Sequence, residues 1–570
     1  MSAFSQVISY FNPVSAVRRL SFSRETMKDD LLAGITVSLV AIPQSLAYAQ
    51  LAGVPAYYGL YAALIPTVIG ALFGSSRQLS TGPVAMTSLL TAASVAPLAA
   101  QGSEQFYAYV VLLALISGLF QIAFGVMRMG MLLNFLSHPV LMGFINAAAI
   151  IIALSQLPAL LGVSASQSEH FLVDVVGVLK QAPAMHEVSF AFGVIAIVAL
   201  VVLKKYAPKW PGVLITVAIL TALSYLVGYA DMGGNVVGAI PEGLPSFGLP
   251  QFDWQATMAL VPAGFIIALI SFMEAMSSSK VIAIKTRAKW DQDQELVGQG
   301  LAKVAAAFSN TMPVSGSFSR SALNLASNAR SGLASIIAAS AVLLTLLFLT
   351  PLLYHLPKPV LAAIIMMAVF SLLNFQNFIK AWRTNRDDGV ASIITFVATL
   401  AFAPNIQNGI LTGILLSLAL LLYRMMRPNI AILGFHHDAT LRDARRHDLK
   451  PMHPQLSVLR FDGDLRFVNV AYFEDALLKL ERENPELRHV LVKCSGVNYV
   501  DASGVEMLSN LVTRFRDNGI AINFSGFKVQ VQEVFDRTGL TEIIGKEHVF
   551  PSDREAIEYL NHELGLTPKQ

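Results

Sequence analysis

Residues 312–330 read Met-Pro-Val-Ser-Gly-Ser-Phe-Ser-Arg-Ser-Ala-Leu-Asn-Leu-Ala-Ser-Asn-Ala-Arg and lie between two long apolar runs. The stretch contains Pro313 and Gly316, and residues 315–321 hold four serines and Arg320. A continuous membrane-spanning helix would not be built in this way. We therefore expect a broken helix, whose free amide groups and positive dipole end hold an anion.

A second stretch of this kind lies upstream, where residues 80–86 read Ser-Thr-Gly-Pro-Val-Ala-Met. Two interrupted helices in matching halves of a membrane chain predict a binding site near the midplane of the bilayer. We expect the amide groups of Val84 and Ala85 to face the anion, because small residues allow a close backbone approach. The alternative is that Gly82 and Pro83 only kink a packed helix.

The composition is that of an integral membrane protein, with 570 residues, 54% hydrophobic and only 14% charged. The net charge of +3 is small, and the basic residues are scattered near helix ends, where membrane topology explains them, so no nucleic-acid partner is indicated. The single cysteine, Cys494, excludes an internal disulfide and a cysteine-built metal site. The His436–His437 pair is interpreted as part of a solvated basic loop. No cofactor, metal or cleavable signal peptide is expected.

Hydropathy predicts about fourteen membrane passages. Residues 31–76 carry no charged side chain and suffice for the first two passages. The other twelve are predicted near residues 80–99, 106–127, 137–160, 187–203, 211–229, 256–284, 294–309, 315–329, 332–350, 358–373, 388–403 and 405–425. The two interrupted helices are then the third and the tenth, each third in its half. An odd number of passages per half predicts a seven-plus-seven inverted repeat.

The placement of charges tests this count independently, because basic loops stay on the cytoplasmic side. With fourteen passages, one set of loops is basic and the opposite set is mainly acidic, with Lys180 and Lys358 as exceptions. The basic set includes Arg77, Arg128, Lys204, Lys205, Lys285, Lys380 and Arg424. Both termini are therefore predicted to be cytoplasmic, in what we expect to be a bacterial inner membrane.

The composition changes after Pro428, which predicts a second domain. The predicted boundaries are an N-terminal cytoplasmic segment (1–30), a transport domain (31–427), a polar linker (428–454) and a small α/β domain (455–570). In the α/β domain, strands are predicted at 456–461, 465–469, 489–494 and 521–525. Helices are predicted at 471–482, 504–518, 528–538 and 552–560.

Several motifs occur in a fixed order along the chain: Pro-Gln-Ser-Leu-Ala-Tyr-Ala at 43–49, Gly-Val-Pro at 53–55, Tyr-Gly-Leu-Tyr at 58–61, Thr-Gly-Pro at 81–83, Ser-Phe-Ser-Arg-Ser at 317–321, and Asp-Ala-Ser-Gly at 501–504. Together they resemble the sulfate permease (SulP) family of anion transporters with a C-terminal STAS domain. The resemblance implies core and gate subdomains, a homodimer, and a substrate site between the third and tenth helices.

Arg320 opens the tenth helix, where a charge within the membrane costs about 2.5 to 3.5 kcal/mol unless it is compensated. We expect Arg320 to supply positive potential, while Ser319 and the amides of Phe318 and Ser319 donate hydrogen bonds to the anion. The alternative is a cytoplasmic arginine at a helix end. Gln44 and Tyr48 lie four residues apart and share a helix face, which the resemblance implies lines the substrate cavity. The alternative for Tyr48 is simple packing.

Glu274 follows twenty uncharged residues within the eighth helix. A carboxyl group at membrane depth favours its neutral form, so we expect Glu274 to carry a coupled proton or to pair with Arg320 or Lys280. The alternative is a structural salt bridge.

The STAS domain resembles bacterial anti-sigma factor antagonists, in which the first hydroxyl of the motif is phosphorylated. Ala502 occupies that position here, although Ser503 and Thr513 remain. The predicted role of this domain is therefore structural and regulatory, namely assembly, trafficking and docking of a cytoplasmic protein partner.

These observations predict a proton-coupled secondary transporter of a small anion, with sulfate as the first substrate. Bicarbonate or C4-dicarboxylate transport, coupling to sodium, anion exchange, a channel and a signalling receptor remain alternatives. The sequence contains no nucleophile–base pair or metal cluster that indicates an enzyme.

Overall fold

The computed structural model describes residues 9–14, 17, 20, 23–130, 137–164, 171–207, 210–241, 243–370, 372–436 and 440–565. These residues form two compact units that divide between Ser417 and Leu418. Much of the predicted N-terminal segment, including residues 1–8, lies outside the described residues, as does His437 of the predicted loop.

Helices dominate the first unit. Within the described residues, seven helical stretches are long and apolar enough to cross a membrane: Arg24–Leu51, Glu104–Val126, His138–Leu161, Glu187–Tyr206, Trp254–Thr286, Leu333–Leu353 and Asn408–Met426. Four shorter apolar stretches are Tyr57–Phe73, Ala85–Val95, Gly212–Val227 and Lys358–Phe370. The remaining helices are Phe171–Lys180, Gln292–Phe308, Phe318–Ala326, Gln376–Thr384 and Arg386–Ala401. Each of the fourteen predicted passages contains a described helix, which confirms a multi-pass helical membrane protein.

Small residues bring the membrane helices close together. A Cβ atom added to Gly118 would lie 3.0 Å from the carbonyl oxygen of Gly300, and one added to Gly300 would lie 2.8 Å from that of Gly118. Helices Glu104–Val126 and Gln292–Phe308 therefore touch backbone to backbone. Such glycine contacts are typical of membrane helix pairs, where packing and hydrogen bonds replace the hydrophobic effect.

The second unit contains a six-stranded sheet. Its strands are β3 (Asn429–Phe435), β4 (Leu441–Asp443), β5 (Leu456–Asp462), β6 (His489–Lys493), β7 (Ala521–Ser525) and β8 (Val549–Phe550). Their order in the sheet is β4-β3-β5-β6-β7-β8. β5 to β8 are parallel, whereas β3 runs antiparallel to both of its neighbours. Helices Val470–Glu483, Ala502–Asp517, Val529–Thr538, Leu540–Ile544 and Asp553–Glu563 complete this α/β unit.

Two segments of the second unit differ from the sequence prediction. The segment predicted as a linker, 428–454, contains β3 and β4, and β3 buries Ala431 and Leu433 against the sheet. The predicted strand 465–469 is wrong, because Leu465 forms only an isolated bridge to Val500. The following residues turn instead, with the Asn469 side chain accepting a hydrogen bond from the Arg466 amide at 3.0 Å.

Candidate functional site

The two interrupted helices start from a small antiparallel sheet within the membrane unit. β1 (Ser80–Gly82) pairs with β2 (Ser315–Ser317), so that Ser80 faces Ser317 and Gly82 faces Ser315. Both strands are fully buried. Helix Ala85–Val95 follows β1 and helix Phe318–Ala326 follows β2, so the two helices leave opposite ends of the sheet. At 1.5 Å per residue they are roughly 16 and 14 Å long, about half of a bilayer core.

Helix Ala85–Val95 begins with free amide groups. Val84 precedes it in an extended conformation, and no described side chain caps the helix start. Its first backbone hydrogen bond runs from Ser88 N to Val84 O at 3.0 Å, which leaves the amides of Ala85, Met86 and Thr87 without intrahelical partners. These donors and the helix dipole form the kind of helix start that binds anions.

Helix Phe318–Ala326 begins differently, because Ser317 caps it. The Ser317 hydroxyl accepts from the Arg320 amide at 3.4 Å and lies 3.4 Å from the Ser319 hydroxyl. Phe318 and Ser319 are exposed at the start of the helix. The predicted anion ligand Ser319 is thus open to solvent or substrate, while the capping role of Ser317 escaped the sequence analysis.

Arg320 joins the two interrupted segments. Its side chain is only 2% exposed, and its Nη1 donates to the carbonyl oxygen of Pro83 at 3.0 Å. Its Nε approaches the hydroxyl of Ser80 at 3.4 Å. Among the described residues, Nη2 has no hydrogen-bond acceptor. The arginine therefore brings its charge to the start of the other half-helix and keeps one donor available, unlike a solvated arginine at a helix end.

Glycine at position 82 makes room for this guanidinium group. A Cβ atom added to Gly82 would lie 2.9 Å from Arg320 Nη2, which is closer than real Cβ contacts allow. Three neighbours fix β1 in place: Thr67 donates to Thr81 O at 2.8 Å, Gln299 donates to Thr81 Oγ1 at 2.8 Å, and the Ser80 amide donates to Ser321 Oγ at 2.9 Å. The position of Arg320 is therefore determined by packing on both segments.

Gln44 and Tyr48 lie together on helix Arg24–Leu51, and both are buried. Tyr48 interacts electrostatically with Arg320 and Glu274, which places it beside the half-helices. The Gln44 amide oxygen has no hydrogen-bond partner among the described residues. The shared face that the sequence predicts for these two side chains thus borders the Arg320 region.

Glu274 lies on helix Trp254–Thr286 and is partly buried. It interacts with the Ser315 hydroxyl of β2 and electrostatically with Lys303 and Arg320. Its Oε2 atom has no hydrogen-bond partner within the described structure. Lys280, the other partner suggested by sequence, is exposed and lies six residues away, on a different helix face.

Lys303 is a buried basic residue that the sequence analysis missed. It lies on helix Gln292–Phe308 with no exposed surface. Its Nζ donates to Ser271 Oγ at 2.5 Å and to the side-chain oxygen of Gln121. A lone lysine in the apolar run from residue 296 to 309 was the available signal.

The motif of the second unit performs a structural task. Asp501 caps helix Ala502–Asp517 by accepting from Gly504 N at 2.9 Å, and its other oxygen accepts from Phe467 N at 2.8 Å. Ala502 is exposed as the first helical residue, and Ser503 follows it. The Thr513 hydroxyl donates back to Ser509 O at 2.9 Å.

The broken helices, the buried arginine and the α/β unit together define a multi-pass membrane transporter with a C-terminal α/β domain. Comparison with known families agrees: the profile of the sulfate permease family matches residues 27–395, and that of the STAS domain matches residues 449–556. The chain therefore belongs to the sulfate permease family, whose members transport anions, and it carries a C-terminal STAS domain.

Curated relatives match almost the whole chain. Sulfate transporter 4.1, chloroplastic, from Arabidopsis thaliana is 34% identical over 552 residues, covering 94% of this chain and 80% of the relative. Probable sulfate transporter 4.2 of the same plant is 33% identical over 554 residues, covering 94% and 81%. Probable sulfate transporter Rv1739c from Mycobacterium tuberculosis (strain ATCC 25618 / H37Rv) is 30% identical over 539 residues, covering 94% and 96%.

Solved structures show the same fold. The murine Solute Carrier 26 family member A9 anion transporter in the inward-facing state matches with a TM-score of 0.87 at 22% identity, covering 99% of this chain and 95% of the other. The transmembrane domain of a cyanobacterium bicarbonate transporter, BicA, matches with a TM-score of 0.59 at 23% identity, covering 70% and 98%.

Proposed function

We propose that this protein is a secondary transporter that takes up sulfate together with protons by alternating access. The observation that carries this proposal is the buried Arg320 between two half-helices, with a free Nη2 donor beside the uncapped start of helix Ala85–Val95. The relatives that share 33–34% identity are described as sulfate transporters, which favours sulfate as the substrate.

In this proposal the anion is held by converging partial and full positive charges. The amides of Ala85, Met86 and Thr87 and those of Phe318 and Ser319 donate from the two helix starts, and Arg320 adds a full charge. We include the Val84 amide, the Ser319 hydroxyl, and Gln44 and Tyr48 from the neighbouring helix as further contacts. Rocking of a core subdomain against a gate then exposes the site to one side of the membrane at a time.

Glu274 is the proposed proton carrier. Uptake of a divalent anion against an inside-negative potential costs about 2.3 kcal/mol per charge per 100 mV, and co-transported protons offset this cost. Glu274 suits the task because it interacts with Arg320 and keeps Oε2 unpartnered among the described residues. Protonation of Glu274 then makes the site more positive when sulfate binds.

The remaining features of the proposal concern orientation and assembly. We place both termini in the cytoplasm of a bacterial cell with the protein in its inner membrane, because the basic loops fall on one side. We further propose a homodimer and a STAS domain that docks a cytoplasmic partner. The domain boundaries predicted from sequence are kept, except that residues 429–435 and 441–443 are assigned to the STAS sheet.

The deciding experiment is uptake by the purified protein in liposomes. Labelled sulfate, bicarbonate and a C4-dicarboxylate are compared under imposed proton and sodium gradients, with empty liposomes as the control. The proposal requires sulfate to accumulate above equilibrium when the outside is acidic. Accumulation only with a sodium gradient, or only of bicarbonate or the dicarboxylate, would replace the proposed substrate or coupling ion. Passive flux without counterflow would indicate a channel, and binding without flux a receptor.

A further inference from the structure

Lys303 is a fully buried basic residue to which the proposed transport cycle assigns no part. Packing holds it there. Gly118 and Gly300 bring two helices into backbone contact, and Gln121 and Lys303 each follow one of these glycines by three residues, on the same face. The Cβ atom of Lys303 itself lies against Gly118. The crossing thus directs the lysine inward toward helix Trp254–Thr286.

The lysine lies behind the proposed proton carrier. It donates to Ser271, which precedes Glu274 by three residues on the same helix face, and it interacts electrostatically with Glu274. Ser315 completes this connection, because its hydroxyl donates to Ser271 O at 3.1 Å and also interacts with the Glu274 carboxyl group. The structure therefore links Lys303 to the carboxylate and, through β2, to the start of the tenth helix.

Glu274 consequently lies among three charged or titratable neighbours. Lys303 approaches it from helix Gln292–Phe308, Arg320 from helix Phe318–Ala326 and Tyr48 from helix Arg24–Leu51. Two of these neighbours, Lys303 and Arg320, are basic. When both are protonated, the partly buried Glu274 carboxylate does not neutralise them, so this group of four side chains carries an excess of positive charge.

We propose that Lys303 is a positioning residue that supplies the second positive charge of the transport site and thereby favours divalent over monovalent anions. The inference rests on the proposed proton-coupled function of Glu274. Because buried charge is costly in a low-dielectric interior, the loaded site is most stable near neutrality. Arg320 and Lys303 together balance a divalent anion when Glu274 is protonated. When Glu274 is ionised, they balance only a monovalent anion.

Removing the Lys303 charge should change both the preference for divalent anions and the pH profile of uptake. In Lys303→Met, Arg320 supplies one positive charge, which balances a monovalent anion when Glu274 is protonated. Loss of a nearby opposite charge also disfavours the ionised carboxylate. Glu274 then takes up its proton at higher pH, and the pH profile of uptake extends to higher pH by about one unit.

The test uses the full chain in lipid nanodiscs and in liposomes. Labelled sulfate binding, its competition by nitrate, and uptake between pH 5 and 8 are compared for wild type, Lys303→Met and Lys303→Arg. We expect Lys303→Met to lower the sulfate-to-nitrate affinity ratio about tenfold and to shift the pH profile. Lys303→Arg keeps the charge and should retain both wild-type values.

A second pair of variants measures the effect of Lys303 without the Glu274 carboxyl group, so that neither its protonation nor the loss of its basic neighbour affects the result. Glu274→Gln is compared with Glu274→Gln/Lys303→Met, in which positions 274 and 303 are both uncharged. We expect the double variant to show an affinity ratio about tenfold below that of Glu274→Gln. Equal ratios in this pair, or an unchanged ratio and pH profile in folded Lys303→Met, would overturn the role of Lys303.

The same data separate this inference from the proposed function. If wild type neither binds nor moves sulfate, the proposed substrate is wrong. The pH profile of whichever anion is transported is then compared between wild type and Lys303→Met. An unchanged profile in that comparison rejects the inference, and a shifted one supports it.

Discussion

Replacing Arg320 by methionine tests the anion site at its centre. The change removes the buried charge and the Nη2 donor that has no acceptor in the described structure. A hydrogen bond to a charged group contributes about 1.5 to 3 kcal/mol, so we expect sulfate affinity to fall about 10- to 150-fold. Arg320→Lys keeps a positive charge without the planar fork and should fall between wild type and Arg320→Met.

The same substitution has a structural cost that must be separated from binding. Arg320 Nη1 satisfies the carbonyl oxygen of Pro83 at 3.0 Å, and a buried acceptor left without a donor costs about 1 to 3 kcal/mol. Thermal unfolding without ligand measures this cost, and equilibrium binding of labelled sulfate to the folded fraction measures the affinity. If folded Arg320→Met protein binds sulfate within threefold of wild type, Arg320 is not an anion ligand.

Three further predictions test other parts of the account. Gly82→Ala should weaken sulfate binding about tenfold at constant charge, because the added Cβ atom would lie 2.9 Å from Arg320 Nη2. Gly248→Ala, whose Cβ atom meets only the Asn310 side-chain nitrogen at 3.3 Å, is the matched control, and equal binding by both variants would contradict the prediction. Glu274→Gln should bind sulfate but fail to accumulate it in liposomes under an inward proton gradient; uphill uptake by this variant would exclude Glu274 as proton carrier. Burial and the charge of Asp553 raise the pKa of the Cys494 thiol well above its usual value, so little reactive thiolate forms. Iodoacetamide at pH 8 should therefore label Cys494 only in unfolded protein, and alkylation of native protein at the unfolded rate would show that this packing is wrong.

The broken helices could be predicted because local residues impose them. Pro313, Gly316 and the serines of 315–321 interrupt an apolar run, and the structure has a strand and a short helix at that point. The charge of Arg320 was equally visible. Its contacts with Ser80 and Pro83 were not, since they join residues about 240 positions apart.

The sequence was less informative where partners from distant segments decide the structure. β3 was read as part of a linker because polar residues follow it directly, yet pairing with β5 makes it a strand. Lys303 was passed over because its burial depends on the crossing of Gly118 and Gly300, which no local pattern reveals. Ser317 was overlooked as a helix cap because several neighbouring serines offered the same chemistry.

The central claim is that the two half-helices and Arg320 hold the transported anion between them. Selenate is a divalent tetrahedral oxyanion like sulfate, and its selenium atom scatters anomalously. In crystals of the protein soaked with selenate, the account predicts an anomalous peak between the starts of helices Ala85–Val95 and Phe318–Ala326, within hydrogen-bond reach of Arg320. A peak elsewhere in the membrane unit, with none at this position, would contradict it.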